Sequence, residues 1–302
     1  MTDPLDNVSL GLQLQQLSFD DTPSFQILCD LGYGIPKEGR PRKEKILAIA
    51  KQLVNFIIWQ TQTQAEKETA ATSDTYSPLA PVVIVGCDDD TVQESLEQRM
   101  HDLWKQQEQQ QQQQFPSHLT FADNDILNKL ASADDKSSNT TSSVSTSSVV
   151  YLSPDAPHVL DISLPPPSTV IVGLLIDRRT IQVDKSHQRA KGLQIQARRW
   201  PMEDIVLQTT STSETKTKTQ TWVLDMDKNE PLNVDCVLEG MQQWYWNYYH
   251  YAYDQKPKVP NESSTQLLES TRARQCFVDA ARQAIQHHHQ RHPGRPKHKD
   301  TK

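Results

Sequence analysis

A carboxylate and two guanidinium groups directly follow an apolar run in the middle of the sequence. The run, Thr169–Ile176, holds eight uncharged residues, and Asp177, Arg178 and Arg179 come next. Such a run is too short to span a membrane and too uniform for a half-exposed strand, so it predicts a strand buried on both faces. A carboxylate at the carboxyl end of a buried strand lies where open α/β sheets bind ligands. Asp177 is therefore a candidate ligand-site residue; the alternative is that it only caps a turn or pairs with an arginine.

Other apolar segments predict a mostly parallel α/β sheet flanked by helices. Two further strands are expected at 25–31 and 81–87, each followed by a helix, at 42–61 and 91–106. After the central run come a short helix at 185–193, a short strand at 194–199, a long helix from about 233 and a last helix at 266–289. The nucleotide-binding patterns GxGxxG and GxxxxGK[ST] are missing from the sequence, so the sheet must hold its ligand in another way.

Polar segments divide the chain into one domain with tails and inserts. Hydrophobic residues make up 35% of the 302 residues, below the ~45–50% usual for a compact domain. Glutamine-rich and serine-rich stretches cannot bury enough apolar area to offset their ordering entropy. We expect a flexible tail at 1–22, a domain at 23–289 with disordered inserts near 106–118, 132–148 and 208–221, and a basic, His-rich tail at 290–302 that contacts phosphate.

Two conspicuous clusters have simpler structural explanations. Three aspartates, Asp88–Asp90, could bind Mg²⁺, but acidic residues before a helix more often cap its N-terminus. The aromatic run Trp244–Tyr253 could stack on bases, but it fits the packing face of a helix with a Tyr-rich end better. We therefore expect no metal site.

Charge and cysteine content limit the protein class. A net charge of −7 argues against coating nucleic acid by bulk charge, although a local basic surface remains compatible with it. The four cysteines lie far apart, which favours reduced thiols in an intracellular protein, nuclear or cytoplasmic. No signal peptide and no transmembrane run is visible, so no membrane association is expected.

Four sequence blocks resemble the tRNA purine-9 N1-methyltransferases of the SPOUT superfamily. Tyr151–Pro157 resembles the family's Tyr-Leu-Thr-x-Asp-Ser-Pro segment, and Gly173–Arg178 resembles its Gly-Gly-Leu-Val-Asp-Arg strand end. A Ser-x-x-Arg-Ala helix and an Ile-x-x-Ala-x-Leu-Pro strand are matched between Ser186 and Pro201. The family's Leu-x-Val-Asn-x-Val-x-Glu helix is matched from Leu232 to Glu239. These blocks stand in the family's order over about a hundred residues.

This resemblance implies a sheet with a C-terminal trefoil knot whose loops bind S-adenosylmethionine. It implies methylation of tRNA by a monomer at N1 of the purine at position 9, with guanine as the first candidate and adenine as the alternative. Asp177 would be the general base, and the cofactor would be bound by Leu152, Gly173, Leu174, Asp177, Trp200 and Pro201. Phosphate contacts are expected from Arg178, Arg179, Lys185, Arg189, Lys191, Arg198 and Arg199, with Arg40, Arg42 and Lys43.

Two departures from the family pattern leave a second function open. Leu174 replaces a glycine and places a side chain where backbone would approach the cofactor, and Asp235 replaces an asparagine. The alternative function is a non-catalytic tRNA-binding protein, or a subunit of an RNA-processing complex, that keeps the fold. An α/β enzyme unrelated to RNA is a third, weaker candidate.

Overall fold

A parallel sheet forms the centre of the described structure. The computed structural model describes residues 25–32, 35–70, 80–87, 89–108, 119–122, 127, 149–174, 184–202, 205, 232–254 and 262–291. Within these ranges six strands pair in the order β3-β2-β1-β5-β4-β6, and all pairs are parallel. The strands are β1 (Gln26–Asp30), β2 (Val82–Val85), β3 (Leu119–Ala122), β4 (Val149–Leu152), β5 (Thr169–Gly173) and β6 (Ala197–Arg198). The predicted parallel α/β sheet is confirmed.

Helices cover the sheet because its strands are apolar on both faces. They are α1 (Gly39–Ala70), α2 (Asp90–Glu108), α3 (Lys185–Gly192), α4 (Val234–Asp254) and α5 (Glu262–Arg291). Ile27, Cys29 and Val172 belong to the large core cluster shared with α1, α2, α4 and α5. Leu28 and Ile171 belong to a smaller cluster on the other face, together with Ala190 of α3. The expected burial of β5 on both faces is therefore confirmed.

Several boundaries differ from the sequence prediction. Helix α1 continues to Ala70 because the residues after Thr61 are mostly good helix formers, although their apolar spacing has ended. Strands β3 and β4 were not predicted; β3 has three half-buried residues and the exposed Thr120, and among the described strands it pairs with β2 alone. Helix α5 continues to Arg291, two residues into the range assigned to the tail. The tail 1–22, the inserts at 132–148 and 208–221, residues 109–118 and residues 292–302 lie outside the described residues.

Packing explains the aromatic run, and capping explains the described part of the aspartate run. Trp244, Tyr245 and Trp246 are buried, and Trp244 Nε1 donates to the carbonyl of Ala273 on α5 at 3.0 Å. Asp89 Oδ1 accepts from the backbone N–H of Thr91 at 2.9 Å, as an N-cap of α2 does. The packing explanation is confirmed for Trp244–Trp246 and the capping explanation for Asp89; Asp88 and the side chains of residues 250–253 lie outside the described part of the structure. Among the residues described, no group of three His, Cys, Asp or Glu side chains could hold a metal ion.

A buried ionic cluster joins α4 to the end of α5. Asp235 and Glu239 lie one turn apart on α4, and neither side chain is exposed. Arg291 pairs with both carboxylates, and His288 Nδ1 lies 3.8 Å from Asp235 Oδ1. Buried charges persist only when they are paired, so this cluster fixes how α5 docks on α4. Residues 290 and 291, which the sequence prediction assigned to the basic, His-rich tail, therefore belong to α5.

We predict that Asp235 contributes a pH-dependent part of the stability. Burial of the carboxyl opposes its ionisation, but the nearby His288 side chain and the charge of Arg291 hold its pKa below the ordinary value. A lowered folded-state pKa stabilises the protein above the unfolded value of about 3.9, and the gain is lost as the pH falls through the folded value. Asp235→Asn should cost about 2 kcal/mol at neutral pH, and the cost should shrink as the pH falls from about 5 to about 2.

Urea unfolding of both proteins across this pH range measures the difference. Asp279→Asn is the matched control, because Asp279 pairs with Arg282 on an exposed face of α5. Its cost should stay within about 0.5 kcal/mol at every pH. A cost of Asp235→Asn that is constant with pH, or larger in acid, would contradict the role assigned to the carboxylate.

Candidate functional site at the carboxyl edge of the sheet

The chain reverses its direction across the sheet between β1 and β5. From β1 it proceeds through β2 to β3 on one side, and from β5 it proceeds to β6 on the other side, beyond β4. The connections that leave β1 and β5 therefore lead to opposite sides of the sheet, and open α/β sheets bind ligands at the carboxyl ends of the strands where such a switch occurs. Asp30 and Gly173 are register partners at this point, and Leu174 N donates to the carbonyl of Asp30 at 2.9 Å.

The side chain of Asp30 is the charged centre of this edge. Its carboxylate is fully buried, and three donors from the described residues bind it. Oδ1 accepts from the backbone N–H of Gly32 at 2.8 Å, and Oδ2 accepts from the Tyr151 hydroxyl at 2.9 Å and from Arg189 Nε at 3.1 Å. A buried carboxylate without such partners would destabilise the folded state by several kcal/mol. The Asp30 carboxylate therefore joins β1, β4 and α3. The carboxylate also acts on its neighbour Cys29, because burial and the charge of Asp30 raise the pKa of that thiol to about 12.

Two glycines make room for the Asp30–Arg189 pair. A Cβ on Gly32 would fall on the guanidinium of Arg189. A Cβ on Gly86, which follows β2, would lie 2.7 Å from Asp30 Oδ1. Gly86 also has φ +79°, a conformation that side chains with a Cβ rarely adopt. The Asp30–Arg189 pair therefore requires a residue without a side chain in each of the turns after β1 and β2.

A second set of polar contacts fixes the start of α3. The hydroxyls of Ser153 and Ser186 are 2.6 Å apart, and both residues are buried. Asp155 Oδ2 accepts from the backbone N–H of Asp184 at 2.8 Å, which holds Asp184 at φ 71° before the helix. Helix α3 is therefore fastened to the loop after β4 as well as to Asp30, and the direction of Arg189 is set by both.

The structure brings the described members of the predicted cofactor set to one edge. Leu152 ends β4 and pairs in register with Val172 of β5 and with Arg198 of β6. Gly173 and Leu174 come directly after Val172, and Trp200 and Pro201 come directly after the Arg198–Arg199 segment. These residues therefore lie at the carboxyl ends of three adjacent strands. Their role in cofactor binding stays a prediction.

Leu174 and Trp200 have side-chain environments that the sequence did not indicate. The Leu174 side chain is 1% exposed and belongs to the core on the α4 side of the sheet, so it does not project from the strand end into solvent. The Trp200 ring packs on Phe277, with ring centroids 5.0 Å apart, and against the bare Cα of Gly240. Its Nε1 is buried and has no hydrogen-bond partner among the described residues.

The predicted phosphate-binding residues have different environments. Lys191 is exposed, and Lys185, Arg198 and Arg199 are half-buried. The backbone of Arg199 is fixed by residues 158–160, since its N–H donates to the carbonyl of His158 and its carbonyl accepts from Leu160. Asp177, Arg178 and Arg179 lie outside the described residues. Two of the other predicted phosphate-binding residues, Arg40 and Arg42, lie at the start of α1. Arg42 donates to the Lys37 carbonyl and to Thr91, and Arg40 pairs with Glu44.

Sequence reasoning missed Asp30 as a site residue. Its only local signal is an aspartate followed by Gly32 at the end of an apolar strand, which also fits an ordinary turn. Tyr151 and Arg189 lie 121 and 159 residues away, so the sheet topology had to be known before their convergence could be seen.

We predict that Gly86→Ala destabilises the protein by about 2–4 kcal/mol. The new Cβ would stand in a left-handed conformation and would press on Asp30 Oδ1. Gly192→Ala is the matched control, because a Cβ on Gly192 in α3 meets no atom within 4 Å. It should be neutral or stabilise by up to about 1 kcal/mol. Thermal and urea unfolding measure both; equal effects of the two variants would contradict the packing described for Gly86.

Comparison with known proteins gives similarity of fold. No protein-family model matches the chain, and no curated protein matches it. Among solved structures, that of spTrm10(74) covers 86% of this chain and 95% of its own, with 13% identity and a TM-score of 0.43. That of full-length spTrm10 in complex with SAH covers 82% of this chain and 96% of its own, with 13% identity and a TM-score of 0.42. The chain is similar to these structures in fold alone, so its function has to be inferred from its own residues.

Proposed function

We propose that this protein is an S-adenosylmethionine-dependent tRNA methyltransferase that modifies N1 of guanine at position 9. The observation that carries the proposal is the meeting of the motif blocks at one edge. The Tyr151–Pro157 block, the end of β5, helix α3 and the 195–201 segment are separate in sequence. Register pairs join Leu152 to Val172 and to Arg198, so the described parts of these blocks adjoin at the carboxyl ends of neighbouring strands.

The described residues of this edge fit an adenine-bearing cofactor. Leu152, Leu174 and Pro201 are buried beneath the edge and make its base apolar, and Gly173 at the end of β5 is half-buried and has no side chain. The buried Trp200 Nε1, which has no partner in the described part of the chain, is a donor that a ligand or a water could satisfy. Because the Leu174 side chain packs into the core, the replacement of the family's glycine does not block this edge. Knotted loops after β5 and β6 would hold the cofactor without a glycine-rich fingerprint.

Asp177 would act as the general base. N1 of guanine carries a proton, and it has no lone pair for attack until that proton leaves. A carboxylate within hydrogen-bond reach can accept the proton, which is typically worth about 10²–10⁴-fold in rate. When bound, S-adenosylmethionine supplies the methyl group and a good leaving group. The remaining task of the protein is to align N1 with the methyl carbon, after the purine has been turned out of the tRNA core.

Basic residues around the same edge would bind the tRNA backbone. Lys185 and Lys191 lie on α3, and Arg198 and Arg199 lie at β6, beside the proposed cofactor residues. Arg178 and Arg179 follow Asp177 in sequence. The net charge of −7 makes a local basic surface necessary for a polyanionic substrate, so binding should weaken steeply with salt.

We propose that the protein acts as a monomer in the nucleus or cytoplasm. No helix in the described ranges is long and apolar enough to cross a membrane.

We predict methyl transfer from labelled S-adenosylmethionine to bulk tRNA, with the label recovered as N1-methylguanosine from position 9. Asp177→Asn should lower the single-turnover rate by about 10²–10⁴-fold, because the amide cannot accept the proton. Asp279→Asn, on an exposed face of α5, is the matched control and should leave the rate unchanged.

The outcomes separate the alternatives. A wild-type rate for Asp177→Asn would contradict its role as general base, and label in N1-methyladenosine would change the target. Salt-sensitive tRNA binding without methyl transfer and without cofactor binding by calorimetry would favour the non-catalytic RNA-binding protein.

A further inference from the structure

We propose that Asp30 is a positioning residue that orients Arg189 toward a phosphate group of the RNA substrate. This inference rests on the proposed function and adds to it a carboxylate that no motif identifies. Asp30 touches neither substrate nor cofactor in this proposal. It acts through the guanidinium that it binds.

Burial makes the Asp30–Arg189 pair different from a surface ion pair. The Asp30 carboxylate is fully buried, whereas 28% of the Arg189 side chain is exposed. Arg189 therefore spans the boundary between the core and the solvent at this edge, with Nε directed inward at 3.1 Å from Asp30 Oδ2. A guanidinium that donates Nε to a fixed carboxylate has its plane defined, which reduces the entropy lost when its exposed part binds a phosphate.

The surroundings of the pair are built to hold that orientation. Gly32 and Gly86 have no side chain where one would collide with Arg189 or with Asp30. The Tyr151 hydroxyl binds the same carboxylate oxygen that Arg189 binds. Ala190, the next residue in α3, is fully buried against the sheet, so the helix cannot turn to move Arg189 away.

The position favours phosphate of a polynucleotide over a single small anion. Lys185 lies one turn before Arg189 on α3, at i−4, and so shares its side of the helix. Lys191, two residues later, lies on another side of the helix and is not part of this pair. Two cations one turn apart fit successive phosphates of a chain, while a single carboxylate of a small ligand needs one cation.

Substitution of Asp30 distinguishes a positioning role from a purely electrostatic one, because the two roles predict opposite changes in tRNA affinity. If only charge mattered, Asp30→Asn would remove a negative charge and tighten tRNA binding. The proposal predicts the reverse: Asp30→Asn and Arg189→Gln each weaken tRNA binding about 3–10-fold, and the double variant is no weaker than Arg189→Gln alone.

Arg189→Gln should also reduce the slope of log Kd against log salt by about 0.7–0.9, the value of one phosphate contact. Arg189→Lys keeps the charge without the planar fork and should bind as weakly as Arg189→Gln, within about twofold.

The exposed ion pair of Arg99 and Asp102 on α2 gives matched controls. These side chains are 46% and 40% exposed and 3.9 Å apart. Arg99→Gln and Asp102→Asn make the same chemical changes and should alter the Kd for tRNA less than about twofold. Circular dichroism melting shows which variants are folded, and if Asp30→Asn does not fold, the Arg189 variants still decide the question.

Each result supports or overturns the inference. Wild-type tRNA binding by Arg189→Gln or Arg189→Lys, or tighter binding by Asp30→Asn, would overturn it while leaving the methyltransferase proposal intact. A raised KM for S-adenosylmethionine with an unchanged KM for tRNA would also overturn it, because the anion would then be the cofactor's carboxylate. Absence of both tRNA binding and methyl transfer in the wild-type protein would overturn the proposed function and this inference together.

Discussion

A buried negative charge between β1 and its neighbours constrains the whole carboxyl edge of the sheet. The carboxylate of Asp30 is removed from water and can persist only with donors placed around it. Those donors come from the turn after β1, from the middle of β4 and from α3. Segments far apart in sequence must therefore meet at one point, which is also where the strand order reverses. The site and the fold depend on the same contact.

Beside this fixed polar point, buried apolar side chains support the edge. Leu152 and Leu174 are held in the core, while Trp200 is anchored by Phe277 of α5 and by the bare backbone at Gly240 of α4. The orientation of Trp200 therefore depends on how α4 and α5 dock. That docking is fixed in turn by the buried carboxylates of Asp235 and Glu239 with Arg291. Two buried ionic clusters, one on each face of the sheet, thus determine the geometry of one edge.

The sequence was sufficient for the parts of the fold that local patterns determine. The apolar runs of β1, β2 and β5 and the periodic helices were predicted because burial leaves a signal in neighbouring residues. Strand β3 left no such signal, since Leu119–Ala122 is short, half-exposed and held by one neighbour. Only part of the site could be predicted from the sequence. Family-like motifs indicated Leu152 and Gly173, but the bonds of Asp30 to Tyr151 and Arg189 span more than a hundred residues, and no local pattern encodes them.

The most direct test of the account is hydrogen exchange of backbone amides with and without S-adenosylhomocysteine. If the carboxyl edge binds the cofactor, the ligand should slow exchange at residues 152–156, 173–174 and 198–202, and leave β3 (Leu119–Ala122), at the far edge of the sheet, unchanged. Saturating ligand that protects none of these segments, or that protects only residues on β3, would contradict the placement of the site at the ends of β4, β5 and β6.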